Sequence, residues 1–123
     1  MATRIVLSID GGGIRGVIPA VVLSYLEART GQPIGAQVDL LAGTSTGGIL
    51  ATGLAHTADG PLMRAEALRD LYIKRGVEIF ARGLGHNIRS GRGILDEKYP
   101  ARGLERVSRE VVAHRTLADL RSN

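Results

Sequence analysis

Two short apolar runs, each ending in a cluster of glycines, constrain this chain more than any other feature. The first is Ile5-Val6-Leu7-Ser8-Ile9, followed by Asp10-Gly11-Gly12-Gly13-Ile14-Arg15-Gly16. The second is Val38-Asp39-Leu40-Leu41-Ala42, followed by Gly43-Thr44-Ser45-Thr46-Gly47-Gly48. Aliphatic runs this short, stopped by glycine, read as buried strands. Between them Pro19 suits the first turn of a helix. Val22, Leu23 and Leu26 give that helix an apolar face, and Gly31 and Pro33 stop it. A second helix is expected from Ile49 to about His56. Strand, glycine turn and helix, twice over, predict an α/β fold: a parallel sheet with covering helices and a right-handed crossover. Ligands in such sheets sit beyond the carboxyl ends of the strands. Both glycine clusters fall there, so they are expected to converge on one site.

Farther along, Asp59-Gly60-Pro61 is expected to open a third helix, with Leu68, Leu71 and Tyr72 as its apolar stripe. Arg82 to Gly93 reads as a mobile loop, and Pro100 as the start of a fourth helix carrying Leu104, Val107 and Val111. No repeat, linker or boundary divides residues 1–123. The composition, 44% hydrophobic and 23% charged, is that of a globular chain. Aromatics are 3%, so the core must come from Leu, Ile, Val and Ala. The absence of cysteine excludes disulfides and thiolate metal sites. No apolar run approaches the ~20 residues of a membrane span. Ile5 to Ile9 is too short for a signal peptide, so a cytoplasmic protein is expected. The net charge of +4 comes largely from Arg82, Arg89, Arg92, Lys98, Arg102, Arg106, Arg109 and Arg115. A solvated basic face is the plain interpretation. Peripheral contact with an anionic membrane is the sharper one. Nothing predicts nucleic-acid binding, because no aromatics are interleaved for base stacking.

Gly43-Thr44-Ser45-Thr46-Gly47 is a G-x-S-x-G motif. A serine hydroxyl attacks poorly unless it is exposed, oriented and near a base. A sharp strand-to-helix turn lifts it clear of the sheet. Cβ atoms at Gly43 or Gly47 would crowd such a turn, and Gly48 extends the small-residue run. The following helix adds its N-terminal dipole, and the Thr46 amide is a natural donor to an oxyanion. The competing interpretation is a glycine turn in which Ser45 merely caps the helix.

Asp10 to Gly16 frees several backbone amides to face one place, as a phosphate cradle or an oxyanion hole would. It also fits G-x-G-x-x-G, the dinucleotide fingerprint, which needs an acidic residue ending the second strand. Asp39 is the only candidate and lies at the start of its strand. No Lys follows either cluster, which excludes a P-loop. Arg15 could order the loop or meet substrate, or be simply solvated.

Together the two motifs and their separation resemble the patatin-like phospholipase family. Ile9 to Gly16 looks like its oxyanion loop, and Asp39 to Gly48 like its nucleophile elbow. Leu71-Tyr72 through Ile79-Phe80, and Tyr99 with Leu104, resemble the segments that follow. The resemblance implies a three-layer α/β domain of which residues 1–123 are the N-terminal part. It implies a lipid acyl hydrolase of phospholipase A type, acting on phospholipids or other acyl-ester lipids. Ser45 would be the nucleophile, and the amides of Gly11, Gly12, Gly13 and Thr46 the oxyanion hole. Asp10, Arg15, Gly16, Gly43, Gly47 and Gly48 would support the motifs. No metal or other cofactor is implied.

The resemblance also implies a serine–aspartate dyad, with the aspartate in a downstream Asp-Gly-Gly or Asp-Gly-Ala. No such motif follows Ser45. Asp59-Gly60-Pro61 stands beyond the helix that leaves Ser45, and Asp70, Asp96 and Asp119 lack the motif. His56 is expected to ride away on that same helix, and His86 and His114 read as surface residues. The domain is therefore expected to be truncated before its base, with uncovered sheet edges and poor solubility or self-association. The alternatives are an inactive fragment or interaction protein of the same fold, a Ser-Asp-His α/β-hydrolase, and a dinucleotide-binding module.

Overall fold

The computed structural model of the chain describes residues 3–80 and, beyond them, 105–106, 108–109, 112 and 115–120. The two apolar runs pair as the sequence predicts. Strand β1 (Val6–Ile9) lies parallel to β2 (Leu40–Gly43), with Val6 opposite Leu40 and Ile9 opposite Gly43. In this register both strands deliver their glycine clusters at the same level. A parallel pair needs a crossover. Here it consists of a 3-10 turn (Gly13–Gly16), helix α1 (Val17–Thr30) and the short α2 (Ile34–Gln37). Helix α3 (Thr46–Leu54) packs on both strands. A small antiparallel hairpin follows, β3 (His56–Thr57) with β4 (Gly60–Pro61). Helix α4 (Ala65–Phe80) then lies along α1. Leu120 bridges to Thr57. The result is an α/β arrangement of parallel strands and helices. Its core joins Ile9 of β1, Leu23 of α1, Leu50 and Leu54 of α3, and Leu68 and Tyr72 of α4.

Several elements differ from expectation for identifiable reasons. Helix α3 begins at Thr46, a turn earlier than predicted, and ends at Leu54, so His56 lies in β3. Gly47 and Gly48, which read as loop, form its first turn. Asp59-Gly60-Pro61 shapes the hairpin and opens no helix; α4 starts at Ala65. Its stripe of Leu68 and Tyr72 is buried as expected, with Leu71 partly so. On α1, Leu23 faces inward, but Val22 is 53% and Leu26 42% exposed. The buried face is Ala20, Leu23 and Glu27. A search for apolar spacing cannot find a stripe whose last member is a carboxylate. The strands are also less covered than predicted: of β1 only Ile9 is buried, and Val6 is 58% exposed. The expected loop from Arg82 to Gly93 and most of the expected fourth helix lie outside the described residues. Among the basic residues, Arg109 pairs with Glu105 at 2.8 Å and Arg115 with Asp59 at 3.0 Å.

Glu27 explains how α1, α2 and α4 are joined. Its side chain is buried, and its two oxygens accept the Ile34 and Ala65 amides at 2.9 Å each. Ala65 is the first residue of α4 and Ile34 the first of α2. The first amides of a helix have no intrahelical acceptor and need one from outside. One carboxylate supplies it to two helices, and its negative charge suits both positive ends.

Candidate active site

Ser45 occupies the bend between β2 and α3. Its backbone is at φ 54, ψ −121, and it is the only non-glycine residue at positive φ among the described residues. Such a conformation costs on the order of 1–3 kcal/mol and persists only where neighbours enforce it. Ser45 is exposed, and its side chain makes no capping hydrogen bond to α3. That removes the capping interpretation: a capping hydroxyl would accept an amide of the first turn. The turn is closed by the backbone instead. Gly47 N–H donates to Thr44 C=O at 2.9 Å, and Gly48 N–H to Ser45 C=O at 2.9 Å. The Thr46 amide precedes these bonds and stands at the positive end of α3.

The glycines of the elbow are demanded by contact. A Cβ on Gly47 would collide with the carbonyl group of Ile9, and one on Gly43 with the backbone of Gly47. Thus β2, the first turn of α3 and the end of β1 are pressed together with no room for a methyl group. Thr44 N–H donates to Ile9 C=O at 3.2 Å and continues the pairing past the strand end.

The first glycine cluster comes to the same place. A Cβ on Gly11 would lie 3.2 Å from the Ser45 Cβ and 3.0 Å from the Thr44 carbonyl oxygen. The Gly11 amide donates to Thr44 Oγ1 at 3.0 Å. Gly12 caps the 3-10 turn and Gly13 begins it, so their amides precede its first bond, Arg15 N–H to Gly12 C=O at 3.2 Å. Arg15 Nε also reaches Gly12 C=O, at 3.5 Å, so the side chain lies over the loop it belongs to. Of the predicted donors, Gly12, Gly13 and Thr46 stand at element starts, whereas Gly11 gives its amide to Thr44. The hydroxyl of Thr44 is the contact that sequence reasoning missed. Its only signal was a second hydroxyl residue beside Ser45.

Behind the elbow, Thr46 is buried against Tyr72. Thr46 Oγ1 and Tyr72 Oη are hydrogen-bonded, and the phenol also donates to Thr46 C=O at 3.2 Å. Burial pushes the Tyr72 phenol above its ordinary range, so it remains a donor at neutral pH. Gly16, the last glycine of the first cluster, completes this contact. A Cβ there would sit 2.5 Å from Thr46 Oγ1 and 2.7 Å from the Tyr72 ring.

The described aspartates are placed as follows. Asp10 is exposed where β1 ends. Asp39 precedes β2, at the opposite end of the strands from the glycines. It accepts Ile5 N–H at 2.7 Å and Arg4 Nη1 at 2.6 Å, and these bonds hold its carboxyl below the usual range. It is therefore committed to the fold, and its position is the wrong one for a ribose-binding acid. Asp59 pairs with Arg115 at 3.0 Å. Asp70 pairs with Arg69 at 2.8 Å and Lys74 at 3.7 Å. Asp119 accepts Thr116 N–H at 2.7 Å. Asp96, His86 and His114 lie outside the described residues.

Comparison with known proteins adds independent findings. The profile of the Patatin family, described as patatin-like phospholipase, matches residues 7–123. Patatin-like protein 2 of Arabidopsis thaliana is 43% identical over 83 residues, 61% of this chain and 20% of that protein. A cGAMP-activated phospholipase of Pseudomonas aeruginosa is 39% identical over 117 residues, 94% of this chain and 33% of that protein. Patatin-T5 of Solanum tuberosum is 33% identical over 114 residues, 85% of this chain and 28% of that protein. The chain thus spans a fifth to a third of the length of these relatives. No solved structure matches it.

Proposed function

Since this chain belongs to the patatin-like phospholipase family, we propose that it carries the nucleophile and oxyanion hole of a lipid acyl hydrolase. The observation that supports this most is Ser45 itself: exposed, held at φ 54, uncapped, and pressed against the first glycine loop. In the proposed reaction Ser45 Oγ attacks the carbonyl carbon of an acyl ester in a phospholipid or another glycerolipid. Its proton passes to a base as the carbon–oxygen bond forms. The charge that develops on the carbonyl oxygen is received by the amides of Gly12, Gly13 and Thr46. Gly11, through Thr44, holds the loop against the elbow. The ester bond then breaks, the alcohol leaves with a proton, and water hydrolyses the acyl-serine.

By the family resemblance the base is an aspartate in an Asp-Gly-Gly or Asp-Gly-Ala segment downstream of the nucleophile, and no such segment follows Ser45 within residues 1–123. Activity is therefore proposed for an intact protein that includes such a segment. Residues 1–123 alone are expected to turn over a chromogenic acyl ester weakly or not at all. Turnover by this segment that disappears in Ser45→Ala would refute that expectation.

The decisive experiment is fluorophosphonate labelling of the intact protein. The probe is expected to attach at Ser45 by peptide mapping. Ser45→Ala should abolish labelling and lower ester hydrolysis by on the order of 10³-fold or more, as loss of a serine nucleophile does elsewhere. Full hydrolytic activity in Ser45→Ala would end the proposal.

A further inference from the structure

We propose that Tyr72 is a positioning residue for the oxyanion hole, acting through Thr46. This rests on the reading of Ser45 as nucleophile and adds a residue far from it in sequence. Three parts of the chain meet at one point. Gly16 ends the first glycine loop, Thr46 follows Ser45, and Tyr72 comes from the middle of α4. The phenol grips Thr46 twice, at its side-chain hydroxyl and at its carbonyl oxygen, the second at 3.2 Å. Both bonds can be satisfied at once: the phenol donates to the carbonyl and accepts from the threonine hydroxyl. Residue 46 is thereby held at both its side chain and its backbone. The direction of its amide, the donor proposed to face the oxyanion, is fixed with it. Helix N–H groups otherwise owe their direction to the helix alone, and helix ends fray.

The grip is itself well supported. Tyr72 is 4% and Thr46 1% exposed. The Tyr72 ring stacks near Phe80, centroids 6.0 Å apart and planes 24° from parallel. The helix that carries it is capped at Ala65 by Glu27. Gly16 has a specific duty here, because only a residue without Cβ lets the phenol and the threonine hydroxyl meet against the loop. One contact therefore ties both halves of the proposed oxyanion hole together. Any buried tyrosine hydroxyl needs a hydrogen-bond partner, and here that partner is the residue that follows Ser45.

The test uses the intact protein and two readouts, the second-order rate of fluorophosphonate labelling and the steady-state constants for ester hydrolysis. Tyr72→Phe keeps the ring and removes both bonds. It is expected to slow labelling and to lower kcat by about tenfold, with KM little changed. Thr46→Val removes only the side-chain bond and leaves the phenol on the carbonyl, so it should show part of that loss. The double variant should be no worse than Tyr72→Phe, which already removes both bonds. Thr46→Ser should recover most of the rate lost in Thr46→Val. Parent-like labelling and kcat in Tyr72→Phe, or additive losses in the double variant, would overturn the inference. So would a rise in KM alone. If Tyr72→Phe does not fold, the Thr46→Val and Thr46→Ser pair decides alone. Failure of the parent protein to label at Ser45 would instead refute the nucleophile assignment, and this inference with it.

Discussion

A methyl group at Gly47 is expected to destabilise the protein by about 3 kcal/mol or more, whereas one at the adjacent Gly48 should be neutral or slightly stabilising. The two glycines read alike in sequence, and both lie in the first turn of α3. Their surroundings differ. A Cβ at Gly47 meets the carbonyl group of Ile9, which belongs to a paired strand and cannot swing aside as a side chain could. Relief requires parting α3 from β1, which also separates the elbow from the first glycine loop. A Cβ at Gly48 comes no closer than 3.4 Å to the Gly43 carbonyl oxygen, an ordinary contact. There the gain in helix propensity on leaving glycine, about 1 kcal/mol, is unopposed. Urea or thermal melts of Gly47→Ala and Gly48→Ala, made in the intact protein, give the comparison. Equal midpoints for the two variants would show that the elbow is not packed as described.

Glu27→Ala is expected to cost about 3–5 kcal/mol, again read from melts of the intact protein. The loss comes from two amides, Ile34 and Ala65, left buried without an acceptor; each is worth ~1–3 kcal/mol when orphaned. Arg64 also approaches Glu27, at 3.4 Å, but its side chain is 48% exposed and the ion pair contributes little. Arg64→Ala should therefore cost less than ~1 kcal/mol. Glu27→Gln, which keeps one acceptor oxygen, should fall between. If Arg64→Ala proves as damaging as Glu27→Ala, charge pairing and not amide capping holds these helices.

The contrast between these two sites shows what could be read from sequence. The elbow was legible because its constraint is local. A strand, a glycine-bounded serine and a helix are consecutive, and at Gly43 the need for glycine follows from crowding within one turn, whereas at Gly47 it comes from Ile9 of β1. The pairing of β1 with β2 was legible for the same reason, since each run announces itself and alternation with helices implies parallel strands. Glu27 was illegible. Its partners lie 7 and 38 residues away, and a carboxylate among Ala20 and Leu23 looks like a break in the apolar stripe. The start of α4 was missed through the same contact, because its cap comes from α1 and not from Asp59 or its neighbours. Tyr72 was found as a core position, but its hydroxyl's destination on Thr46 depends on how α4 crosses behind the elbow. Thr44 was passed over because its partner, the Gly11 amide, belongs to the other cluster.

The bend at Ser45 is enforced by the backbone packing of Ile9, Gly43 and Gly47. The proposed nucleophile is therefore already in posture before any substrate arrives. On the proposed reading, control over such a protein would not work by reshaping Ser45. It would have to act on access to the rim above it, or on the arrival of the group that takes its proton.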